Sequence, residues 1–145
     1  MNGRIIMSLL SERQDGPIGD DWRYDLQAKV FHGALADEGT IHVPKHKLSS
    51  GCTQSPPGPP EPVILNTGVI GDDVLVRLHL DATEVDLFVN DHGCAELDVP
   101  LHCPRAGELP VTRDVEVSVG VMESPGWMGE TSVFRLRLRL MAECA

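Results

Sequence analysis

Aromatic residues are scarce: two tryptophans, one tyrosine and three phenylalanines, 4% of 145 residues. A core must therefore be built from Val, Leu, Ile and Ala, and a glycan-stacking face, which needs several exposed rings, is poorly supplied. Basic residues are also few, 12 against 22 acidic ones, for a net charge of −10. A surface this acidic repels phosphate backbones, which argues against nucleic acid as a partner. It also opposes anionic membranes unless a cation bridges the two.

Long apolar runs are absent, so no membrane insertion is expected. The one short candidate for a leader, "RIIMSLL", runs straight into "SERQDG" without a small-residue cleavage site. A cytoplasmic location is the expectation. Cys52, Cys94, Cys103 and Cys144 show no CxxC spacing, and in a reducing compartment they are free thiols. GxSxG, P-loop, GxGxxG and HExxH motifs are all missing, so no catalytic residue is assigned and the chain does not read as an enzyme.

What is plentiful is turn residues and alternation. Eleven prolines and fourteen glycines punctuate short apolar stretches. In "WRYDLQAKVF", Trp22, Tyr24, Leu26, Ala28 and Val30 share one face, and the charged or amide residues share the other. The same period of two puts Val74, Val76, Leu78 and Leu80 inward, then Val85, Leu87 and Val89, then Ala95, Leu97, Val99 and Leu101. It continues through Val115, Val117, Val119 and Val121, and through Phe134, Leu136, Leu138 and Leu140. With weaker strands in "RIIMSLL", "TIHVP" and "PVILNTG", eight or nine strands are expected. They suit an all-β chain: a single domain, residues 1–145, folded as a two-layer antiparallel β-sandwich of Greek-key, immunoglobulin-like or C2-like type. A small closed barrel is the alternative. The Pro-rich stretch 49–62, "SSGCTQSPPGPPEP", reads as a stiff surface loop.

Pairing by parity yields candidate sites. Folding Val85–Asn90 onto Ala95–Leu101, with a turn at Asp91-His92-Gly93, and turning the preceding hairpin through "DATE" creates an outward row of His79, Asp86 and Asp98. A histidine with two carboxylates is a donor set for a divalent metal such as Zn²⁺ or Mn²⁺, the one cofactor the chain suggests. The stretch "NDHGCAELDVPLHCP" looks richer, with His92, Cys94, His102 and Cys103. However, eight residues of straight strand separate Cys94 from His102 by roughly 26 Å, too far to share an ion. Pro100 in the middle marks an edge strand.

The third candidate is an interface. Arg135, Arg137 and Arg139 form a basic ladder on an acidic protein. In the expected hairpin they lie opposite Gly120, Ser118 and Glu116, with acids such as Asp86, Glu96 and Asp98 as neighbours. The connecting loop presents Trp127 and Met128, residue types suited to contact surfaces. The functional expectation is a non-catalytic β-sandwich module for protein–protein interaction or self-assembly, with a protein partner or a homo-oligomer. The alternative is a metal-binding or metal-dependent protein using the outward His/Asp row.

Overall fold

The computed structural model describes residues 2–87, 89–123 and 129–145, and Phe88, Trp127 and Met128 lie outside them. Nine strands follow one another: β1 Gly3–Asp15, β2 Asp21–His32, β3 Ala34–Lys47, β4 Thr53–Gln54, β5 Val63–Asn66, β6 Asp72–Glu84, β7 Asp91–Cys103, β8 Val111–Met122 and β9 Thr131–Cys144. All pairings are antiparallel. One sheet runs β4-β1-β9-β8 with β5 also on β1, and the other runs β3-β2-β6-β7. The two sheets pack face to face and do not close, so the chain is a β-sandwich and not the barrel alternative.

The inward rows read from alternation line this core, apart from Val85, Leu87 and Val89. Trp22, Tyr24, Leu26, Ala28 and Val30 are each at most 1% exposed, and Phe134, Leu136, Leu138 and Leu140 are fully buried. Three of the six aromatics pack together: Phe134 lies 5.3 Å from the Trp22 ring and 5.1 Å from the Tyr24 ring. Pro100 sits within β7, an edge strand, where a missing N–H costs no ladder bond.

Two registers differ from the expected ones. "DATE" is not a turn: alternation continues through Leu80, Ala82 and Glu84, all buried, and β6 ends only at Glu84. Val85–Asn90 is therefore the hairpin connection and not a strand, with Leu87 91% exposed. Its own polar groups hold it: Asp86 Oδ1 accepts from the Leu87 N–H at 2.6 Å, and Asn90 Oδ1 from the Asp86 N–H at 3.1 Å. Gly93 lies inside β7, where an added Cβ would come 2.7 Å from the Gly120 carbonyl oxygen, so it serves close approach of the sheets. The last hairpin is offset by two residues, placing Asp114 opposite Arg139, Glu116 opposite Arg137 and Ser118 opposite Arg135.

β1 carries a further device. Its register against β9 shifts between Leu9 and Ser11, a one-residue bulge at Leu10. Before the bulge Ile5 and Met7 face inward, and after it Glu12 and Gln14 do. Buried Glu12 is fully engaged. Tyr24 OH donates to Oε1 at 2.8 Å, the Gln54 amide donates to Oε2 at 2.9 Å, and His46 Nε2 lies 2.5 Å from Oε2. Burial, then the Glu12 charge, raises the Tyr24 phenol well above its ordinary range.

Candidate cation site at the hairpin end

The connections 16–20 and 85–90 meet at one end of the sandwich, joined by a bond from Val85 N–H to Asp21 O at 2.7 Å. Here the β6–β7 ladder closes on a pair of acids, Glu84 opposite Asp91. Both are buried, at 4% and 2% exposure, and Asp86 follows in the exposed turn. One oxygen from each of Glu84, Asp86 and Asp91 lies within 4.8 Å of the other two. Asp21, at the start of β2, adds its charge.

Such a cluster is electrostatically costly. Burial first, then the charges of Asp86, Asp91 and Asp21, push the Glu84 carboxyl up to about 7. A side-chain hydrogen bond with Asp91 further favours the protonated form of Glu84. The other oxygen, Glu84 Oε2, is buried without a hydrogen-bond partner among the described residues. Gly19 covers the site closely: a Cβ there would meet Glu84 Oε1 at 2.0 Å, and its φ of +152° favours glycine. Lys45 is the one cation among the residues lining the adjoining depression, with Asp21, Asp86 and Leu87.

The expected row of His79, Asp86 and Asp98 is not brought together. His79 faces Glu96, Arg77 faces Asp98, and Asp86 has left the sheet. Asp98 is held by Arg77 at 2.9 Å, which lowers its carboxyl below the usual range. His102 and Cys103 sit at the far end of β7 from His92 and Cys94. His102 contacts Asp73, and Cys103 is buried, with its thiol raised by burial.

The arginine ladder finds its acids within its own sheet rather than at Asp86, Glu96 or Asp98. Arg139 makes a two-pronged contact with Asp114 at 2.8 and 3.0 Å, and Arg135 reaches Asp15 of β1 at 2.6 Å. Arg137 faces Glu116 across the ladder. The other two named interface residues, Trp127 and Met128, are outside the described residues.

A turn at "DATE", as the sequence suggests it, hides the pairing of Glu84 with Asp91. Continued alternation past Leu80 is the signal that would have shown a carboxylate pointing inward at a strand end. No protein-family model and no curated protein matches this chain. Among the described residues, no helix is long and apolar enough to cross a membrane.

Proposed function

We propose that this protein is a non-catalytic β-sandwich module whose hairpin end binds a divalent cation, Ca²⁺ by preference, and that the bound ion switches docking on an anionic partner surface. The observation that carries this reading is the cluster of Glu84, Asp86 and Asp91, with Glu84 Oε2 buried and without a hydrogen-bond partner among the described residues. A cation replaces the Glu84 proton, supplies that oxygen with a partner and neutralises the repulsion. An all-oxygen donor set selects a hard ion, and Ca²⁺ tolerates the irregular geometry of a turn better than Mg²⁺ does.

The docking half rests on the hairpin between these acids. Leu87 and Val89 are 91% and 50% exposed on it. Without an ion, this acidic end repels an anionic phosphate or phospholipid headgroup. With one, the charge is bridged and the apolar tip supplies contact area without spanning a bilayer. This keeps the module an interaction protein but moves its working surface from the arginine ladder to the hairpin end.

The test is a thermal melt with Ca²⁺ titrated into chelator-treated protein. Ca²⁺ at about 100 times its dissociation constant should stabilise by about 2.7 kcal/mol. Asp86→Asn, an exposed change, should remove most of that gain. Vesicles containing anionic phospholipid should then sediment with the protein in Ca²⁺ and not in chelator. No shift with Ca²⁺, or an equal shift in Asp86→Asn, defeats the reading.

A further inference from the structure

The outer face of β6 and β7, one strand-turn away from the carboxylates, carries a different donor set. Register places Asp81 opposite Cys94, His79 opposite Glu96 and Thr83 opposite His92. Ligand atoms of His79, Asp81 and Cys94 all lie within 4.8 Å of one another. The two imidazoles converge on one carboxylate: His79 Nε2 is 3.2 Å from Asp81 Oδ2, and His92 Nε2 is 3.4 Å from Asp81 Oδ1.

Their opposite nitrogens are already engaged. His79 Nδ1 lies 3.3 Å from Glu96 Oε1, and His92 Nδ1 lies 3.2 Å from Thr83 Oγ1. A neutral imidazole that donates its Nδ1–H to Glu96 presents a lone pair at Nε2. That lone pair faces a carboxylate, which is repulsive unless a second proton or a metal ion stands between them. Engaging Nδ1 with a carboxylate or hydroxyl is also how proteins aim Nε2 at a metal.

Asp25 sits directly opposite Asp81 on β2 and is answered by His42 of β3, leaving Asp81 to His79 and His92. Asp81, Thr83 and His92 line one side of a depression whose other side carries Arg23, Asp25, His42 and Lys45. Cys94 is exposed and unbridged, so its sulfur is available.

We propose that His79, Asp81, His92 and Cys94 form a second, softer metal site, taking Zn²⁺ or Co²⁺ through two imidazole nitrogens, a carboxylate oxygen and a thiolate. His79, Asp81 and Cys94 supply three positions of a tetrahedral ion, and His92, 3.4 Å from Asp81, turns in to supply the fourth. Binding releases the thiol proton and any imidazolium proton, so affinity rises with pH. This site is independent of the Ca²⁺ reading, because its ligands and the hardness of its ion differ.

The experiment is titration of Co²⁺ alone into the reduced, chelator-treated full chain, followed by absorption. One equivalent should produce a thiolate-to-cobalt charge-transfer band in the near ultraviolet and visible bands of four-coordinate intensity. Cys94→Ser should abolish the charge-transfer band while leaving the fold intact by circular dichroism. Glu96→Gln, which touches no metal, should weaken binding by about 10–100-fold if Glu96 positions His79. Excess Ca²⁺ should leave the band in place. A wild-type spectrum without the thiolate band overturns the proposal. So does a band that survives Cys94→Ser, or one that Ca²⁺ removes.

Discussion

At the scale of single residues, Glu84 decides most. Its carboxyl ordinarily titrates at 4.5 and is raised to about 7 by burial and by Asp86, Asp91 and Asp21. Between those values the folded protein binds the proton and the unfolded chain does not. Stability of the cation-free protein therefore falls as pH rises through this window, by at most roughly 1.4 kcal/mol per pH unit. The paired aspartates Asp15, Asp72, Asp98 and Asp114 are shifted the other way, so their contributions are lost only in acid below this window. Urea melts in chelator between about pH 5 and pH 8 should show the falling slope in wild type and a flatter one in Glu84→Gln. Identical slopes would show that Glu84 is already ionised in the fold.

At the scale of elements, a bulge and a hairpin place the polar groups. The extra residue at Leu10 reverses the facing of the rest of β1 and turns Glu12 toward Tyr24 and His46. Deleting Leu10 restores simple alternation and drives either Glu12 outward or β1 out of register with β9. Loss of the Glu12 bonds leaves Tyr24 OH buried without its acceptor, a cost of about 1–3 kcal/mol. A drop in the urea midpoint of that size is the expected outcome, and an unchanged midpoint would mean that the bulge stores strain equal to what the network contributes. The β6–β7 hairpin works similarly. Because β6 runs on to Glu84, its two long strands carry the carboxylate cluster at the tip and the His79–Asp81–His92–Cys94 group just below it.

At the scale of the whole molecule, a net charge of −10 is distributed unevenly. In the β1-β9-β8 sheet Arg135 pairs with Asp15 and Arg139 with Asp114, while the β6–β7 end gathers acids and histidines. Exposed pairs of this kind are screened by solvent and contribute little. Replacing Arg135, Arg137 and Arg139 together with Ser should lower stability modestly and leave the mass by light scattering unchanged. A fall in mass would restore the ladder as an assembly surface.

By itself the sequence determined the fold class, most of the inward rows and the edge position of Pro100, because a period of two assigns each residue to a face wherever the strand lies; the row Val85, Leu87 and Val89 failed because no strand lies there. It could not determine which outward residues meet. Sliding one strand past another by two residues keeps every apolar side chain inside, so the core is blind to that slip. The choice belongs to strand length, turn chemistry and bulges. Asp86 capping its own turn, Glu84 extending β6 and Leu10 reversing β1 are such choices. They disperse His79, Asp86 and Asp98, pair Arg139 with Asp114, and assemble Glu84 with Asp91 and His79 with Asp81, His92 and Cys94. Those meetings exist only after the sheets have packed, since each joins residues whose separation along the chain says nothing about their separation across a ladder.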